Sequence, residues 1–192
     1  MTTIKRCAWA CNDEAEKIYH DEQWGVPIHD DKLWFEFLTL EGAQAGLSWR
    51  TIINKRLGYQ QSFHLFDINK VAELTDAQLD ELLKNPKIIR NRLKVYSTRN
   101  NAQQMKKVQK EFGSFDNYMW HFVDNKPITN TFKSLKNIPA TTEISDLMSK
   151  DLKKRGFKFI GSTICYALMQ ASGMVNDHEL DCFRYGVCKK LK

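Results

Sequence analysis

Apolar residues recur at helical spacing along nearly the whole chain. DEAEKIYHDE, residues 13–22, reads as a short helix. Over residues 31–45, Leu33, Trp34, Phe37, Leu38 and Leu40 form a broad apolar face, which predicts a core helix. Ser48 is placed to cap a third helix running to about Phe66. Thr75 and Gln78 in TDAQ predict a capping box for a helix ending near Lys84. Asn85-Pro86 is a turn, and the pattern beyond it predicts a long helix from about Ile88 to Phe112, stopped by Gly113. After DNKP, residues 124–127, β-branched residues are frequent but do not alternate with polar ones, so the segment reads as loop. SDLMSKDLKKRG predicts a helix capped by Ser145 and stopped at Gly156, and a last helix occupies about 162–172, ended by Gly173. No strand, repeat or low-complexity tract stands out, and the predicted fold class is all-α.

One position breaks the pattern. Glu41 ends the apolar run LWFEFLTL and is followed by small residues, a leucine and a tryptophan, in LEGAQAGLSW. A carboxylate where the periodicity reads as core needs a partner or a task.

Composition narrows the class. A chain of 192 residues, 42% hydrophobic and 27% charged, fits one domain spanning 1–192, or two helical lobes that share a core. The balance of 29 basic against 23 acidic residues permits a polyanionic partner without requiring one. The longest uncharged run, residues 159–176, is interrupted by Gly, Ser, Thr and Gln, which reads as a buried helix and not a membrane span. Five cysteines and no apolar leader predict a reducing, cytoplasmic setting, with thiols or metal ligands in place of disulfides.

Three groups of residues carry chemistry. Cys7 and His20 lie near one end of the chain, His178 and Cys182 near the other, the latter pair at i, i+4 spacing. Two thiolates and two imidazoles make a closed tetrahedral zinc set, which is structural because no position remains for substrate. The spacing is not a standard finger pattern, however, and on spacing alone the residues read as unrelated, with Cys11 and Cys188 as rival ligands. Next, Lys84, Lys87, Arg90, Arg92 and Lys94 cluster about the turn in LLKNPKIIRNRLKV, where free N–H groups at a helix start can take a phosphate. KDLKKRGFKF, residues 150–159, is a second basic cluster; charge runs of this kind are ordinarily solvated faces. Last, Tyr19, Trp24 and Trp49 can share a pocket with Glu41 if their helices are neighbours, although aromatics at helical spacing are more often core. Aromatic faces sandwich a flat base and attract a cation, and a carboxylate accepts from an exocyclic amine.

The C-x-W near the N-terminus, YHDEQWGVP, LEGAQAGLSW, the IIRNRLK turn and KKRGFKFIGSTICYALMQASGMVNDH together resemble the bacterial 3-methyladenine DNA glycosylase I family. The resemblance runs from about Cys7 to Cys182. It implies a helix-hairpin-helix DNA glycosylase fold with a zinc site joining the N- and C-terminal segments. It implies excision of 3-methyladenine from alkylated double-stranded DNA by a monofunctional monomer that leaves an abasic site and needs no membrane. The implied zinc ligands are Cys7, His20, His178 and Cys182, with Cys11 and Cys188 as bystanders. Glu41 takes the catalytic position, and Tyr19, Trp24 and Trp49 bind the flipped base. Gly46 and Leu47 enter the duplex, and the hairpin, about residues 76–95, brings Lys87 and Arg90 to the backbone.

Two departures from the family pattern stand out. Glu16 occupies the place of a tyrosine found in some family pockets, so one aromatic wall is missing or replaced. The turn NPKII lacks the glycine-rich hairpin pattern of the wider superfamily, which leaves its detailed phosphate contacts unassigned but not its place in the fold. The aspartate that the superfamily uses as a catalytic acid is absent from the family, so no general base is assigned. A non-catalytic DNA-binding module of the same fold is the rival reading, separated by whether free base is released. A zinc hydrolase is disfavoured, because the closed ligand set leaves no site for water.

Overall fold

The longest stretch of uninterrupted burial organises the molecule. In the computed structural model, which describes residues 4–11 and 13–191, every residue from Trp34 to Ala43 is buried. These ten belong to helix α2 (Asp31–Gln44), so this helix is enclosed on all sides and not only along one face. Helix α1 (Glu14–Glu22) precedes it, capped by Asp13, whose side chain accepts from the N–H groups of Ala15 and Glu16. Asp31 at the start of α2 accepts from Gln109 Nε2 and from the N–H groups of Phe115 and Asp116, tying together three elements.

Ser48 caps α3 (Trp49–Ile53) as expected, but the helix predicted to reach Phe66 is broken twice. Asn54 turns its side-chain amide onto Arg50 O (2.9 Å) and ends α3, and α4 (Arg56–Ser62) follows. His64, Leu65 and Phe66 then form a left-handed turn, with φ of 51°, 54° and 59°. That turn lets Phe66 pack edge-on against Phe35, ring centroids 5.7 Å apart. Helices α5 (Ile68–Ala72) and α6 (Asp76–Leu82) come next, the latter with the predicted Thr75–Gln78 capping box.

The long helix α7 (Arg92–Phe112) begins four residues later than its apolar pattern suggests. Ile88 is buried within the turn, Ile89 N–H donates to the Tyr59 hydroxyl, and Asn91 is extended and caps Lys94 N–H. Residues 88–91 are thereby committed to the turn. Helix α8 (Phe115–His121) was not apparent in the periodicity; Ser114 caps it. Helix α9 (Glu143–Lys154) starts before Ser145, because Thr142 is its cap and Ser145 is the third residue of the capping box. Helix α10 (Ser162–Ala171) lies where expected, and α11 (Tyr185–Cys188) is short. The chain is mostly helical, with one correction to the all-α expectation. Strands β1 (Ile128–Thr129) and β2 (Val175–Asn176) pair in parallel, Ile128 opposite Val175. No described helix is long and apolar enough to cross a membrane.

Candidate active site and metal cluster

Beside α2, a cavity of about 220 Å³ opens between α1, α3 and α10. It is smaller than the 300–1,000 Å³ typical of pockets for drug-sized ligands and suits a single base. Glu41 and Gln44 reach it from α2, Glu16 and Tyr19 from α1, Trp49 from α3, and Ala167 and Gln170 from α10. Trp9, Trp24, Leu135 and Ile138 complete the lining. Sequence reasoning placed Tyr19, Trp24, Glu41 and Trp49 together, and the structure does so. Tyr19 and Trp49 are 5.0 Å apart between ring centroids, and Trp9 meets Trp24 edge-on at 5.2 Å.

Several polar atoms on the residues around this cavity lack hydrogen-bond partners. Six buried side-chain polar atoms make no hydrogen bond among the described residues, and four of them belong to residues that line this cavity: Glu16 Oε2, Tyr19 OH, Glu41 Oε2 and Trp49 Nε1. Such orphans cost about 1–3 kcal/mol each unless a ligand satisfies them. Burial raises the Glu41 carboxyl to about 8 and pushes the Tyr19 hydroxyl well above its ordinary range, with the Glu41 charge adding to the latter. Glu36, five residues earlier on α2, is buried too, yet it accepts from Arg56 (2.8 Å) and Gln60 (2.7 Å). Helix α2 therefore carries one finished carboxylate and one open one.

The remaining lining came from no periodic signal. Gln170 donates its amide to Asp177 (2.8 Å), which also accepts from Tyr166 (2.6 Å) and Asn130 (2.7 Å). This network leaves the Gln170 amide oxygen as the atom free for a ligand. Gly42 lets the 156–160 segment pack close against α2, since a Cβ there would lie 3.2 Å from Phe159 Cβ. Asn101 holds that segment through both the N–H and the carbonyl of Lys158.

Gly46 and Leu47 sit in the exposed loop between α2 and α3, Gly46 with φ +78° and open space around it. Lys94, in the first turn of α7, donates to Ala43 O (2.8 Å) and Ala45 O (2.7 Å), so it braces the C-terminus of α2 beside that loop. Burial lowers its ammonium from the usual lysine range. Of the basic cluster, Lys84 pairs with Glu81 and Arg92 with Asp80. Lys87 and Arg90 are exposed in the turn and have no ion-pair or side-chain hydrogen-bond partner among the described residues. In the second basic cluster, Arg155 is engaged by Glu111 and Asp151.

The second centre joins the chain ends. Cys7, His20, His178 and Cys182 are all buried, with one donor atom from each lying within 4.8 Å of the others. Three sulfur-to-nitrogen separations are 3.5 Å: Cys7 to His178 Nδ1, Cys182 to His178 Nδ1, and Cys182 to His20 Nε2. Bonds of about 2.3 Å to sulfur and about 2.0–2.1 Å to nitrogen in a tetrahedron set edges of this length. The other ring nitrogens are already held, His20 Nδ1 by Asp21 (2.8 Å) and His178 Nε2 by Trp24 O (3.0 Å). Arg6 in turn grips Asp21 through both carboxylate oxygens. That outer shell fixes which nitrogen each ring offers. Hydrogen bonding between the thiols drives the Cys182 thiol down and the Cys7 thiol up. The residues fit a metal ion. All five cysteines are free, and Cys11 and Cys188 lie outside the cluster.

A family profile for methyladenine glycosylase matches residues 9–185. DNA-3-methyladenine glycosylase 1 of Escherichia coli K12 is 43% identical over 182 residues, covering 95% of this chain and 97% of that protein. A crystal structure of a 3-methyladenine DNA glycosylase I superposes with a TM-score of 0.91 at 45% identity, over 93% of this chain and 98% of the other. The Staphylococcus aureus 3-methyladenine DNA glycosylase I, whose structure addresses 3-methyladenine recognition, superposes at 0.91 with 34% identity, over 94% and 96%. The chain belongs to the methyladenine glycosylase family and is an enzyme of the glycosylase class.

Proposed function

We propose that the protein hydrolyses the N-glycosidic bond of 3-methyladenine in alkylated double-stranded DNA and leaves an abasic site. The observation that carries this reading is the cavity with four unpartnered buried polar atoms among aromatic rings. Methylation at N3 makes adenine a flat cation whose glycosidic bond is already weakened. Such a base needs recognition more than a strong general acid. Flipping it from the stack costs a few kcal/mol. Cation–π attraction from Tyr19 and Trp49 returns about 0.5–2 kcal/mol each. Glu41 receives the exocyclic amine; its carboxyl gives its proton to water as the cationic base binds, and the carboxylate balances the base's charge. Leu47 fills the space left in the duplex, with Gly46 allowing its loop to approach. Lys87 and Arg90 bind the phosphate backbone around the turn, which serves as the hairpin of a helix-hairpin-helix fold. The enzyme acts as a monofunctional monomer, with water attacking the sugar and no lysine adduct.

Cys7, His20, His178 and Cys182 hold a structural zinc, and a bound zinc supplies a tie between the chain ends. The test of function is release of free 3-methyladenine from alkylated duplex. The expected result is one abasic site per base released and no protein–DNA adduct trapped by borohydride. A protein that binds the duplex and frees no base contradicts the reading.

A further inference from the structure

The cavity contains a second carboxylate that the chemistry above does not use. Glu16 lies on the same face of α1 as Tyr19, three residues away, and its residue is 6% exposed. Its Oε2 makes no hydrogen bond. Among the described residues its ion-pair partner is Arg50, whose Nε lies 3.6 Å from Oε2, close enough for ion pairing and too far for a hydrogen bond. The two side chains differ in environment: that of Glu16 is 8% exposed and that of Arg50 is 49% exposed. Arg50 follows Trp49 at the start of α3, so it stands on the solvent side of the cavity while Glu16 faces inward.

We propose that Glu16 is a specificity-determining residue that selects a positively charged base over a neutral one, with Arg50 holding its charge in check until the base arrives. The proposal rests on the base-release reading above. A buried carboxylate attracts a cation entering the cavity and gives an uncharged purine no comparable gain. A hydrogen bond from Arg50 would have satisfied Oε2; the longer contact leaves that buried atom without a hydrogen bond. An exposed guanidinium can turn into water as the cation replaces it, at little cost in desolvation.

The test compares a fixed cation, 3,9-dimethyladeninium, with neutral 9-methyladenine on the full-length, metal-loaded protein. Binding is read from the fluorescence of the tryptophans that line the cavity. Glu16→Gln is expected to lower affinity for the cation about tenfold, the scale of one charge pair at partly screened separation, and to leave 9-methyladenine unchanged. Arg50→Gln, an exposed change that spares the cavity wall, is expected to act in the opposite sense and tighten the cation several-fold. Equal losses for both probes in Glu16→Gln would mean that Glu16 only shapes the cavity, and would overturn the proposal. So would an unchanged cation-to-neutral ratio in Arg50→Gln. The parent protein's release of 3-methyladenine from alkylated duplex separates the two readings. Release with unchanged ratios sinks only the role of Glu16, and no release sinks the base-release reading itself.

Discussion

The Cys/His cluster and the aromatic cavity are adjoining centres built on opposite rules. In the cluster every polar atom is engaged, since the thiols and rings face one another and the outer ring nitrogens are held by Asp21 and Trp24. On the residues that line the cavity, four buried polar atoms make no hydrogen bond among the described residues. Helix α1 serves both, with His20 turned to the cluster and its neighbour Tyr19 to the cavity. The difference separates support from function. A satisfied centre stabilises the fold, and an unsatisfied one forgoes stability so that a ligand can supply the missing partners.

Breaking the cluster should have the largest effect. Cys182→Ala is expected to reduce bound zinc from about one per chain to near zero by metal analysis. It should lower the melting temperature by roughly 10 °C, the equivalent of about 4 kcal/mol at this size. A variant that keeps its metal and its melting point would show that the ligand set is wrong. Gly25→Ala strikes the same centre indirectly. Gly25 has φ +75°, and a Cβ there would lie 3.1 Å from His178 Nε2, the nitrogen held by Trp24 O. Zinc affinity, measured by chelator competition, is expected to fall about 10- to 100-fold while all four ligands remain.

Glu41→Gln should move the cavity in the contrary sense. With the folded carboxyl raised to about 8 against an ordinary 4.5, the native state holds a proton that the unfolded chain has lost across that window. Stability from this group is complete below pH 4.5 and declines as pH rises toward 8. The glutamine variant lacks that decline. Relative to the parent it is expected to be more stable at pH 8 than at pH 5, by on the order of a few kcal/mol in denaturant titrations. Equal differences at both pH values would show that Glu41 is not a desolvated acid. The smallest effect belongs to the turn. Lys87→Ala with Arg90→Ala should leave folding and free-base binding unchanged. It should reduce the salt dependence of duplex binding by about two phosphate contacts, roughly 1.8 in the log–log slope.

How far the sequence revealed these centres depends on the range of the signals. Caps and apolar faces are local, so α1, α2, α6 and α10 were legible within a few residues. Tertiary contacts overrode the local pattern where chain segments were needed elsewhere. Ile88 and Ile89 carry the period of α7 but are spent on the turn, and Phe66 is carried into the core by a left-handed turn. The β1–β2 pair joins positions 47 residues apart, Ile128 and Val175, through two residues each, too short for alternation to show. In the cavity, Tyr19, Trp24, Glu41 and Trp49 stood out through motifs. Glu16 stood out only as a departure from a family pattern, and its spacing from Tyr19 was the available physical clue. Gln170 depends on the Asp177 network and had no sequence signal at all. Lys94 looked like a phosphate ligand in a basic cluster and instead braces α2.

In the proposed function the open carboxylate of α2 receives a methylated base. Its most direct test is the single-turnover rate at which the parent protein and Glu41→Gln free 3-methyladenine from alkylated duplex. Release by the parent and a loss of about 10²-fold or more in the variant are expected, the scale of removing one preorganised electrostatic contact. Release by Glu41→Gln at the parent rate would contradict it.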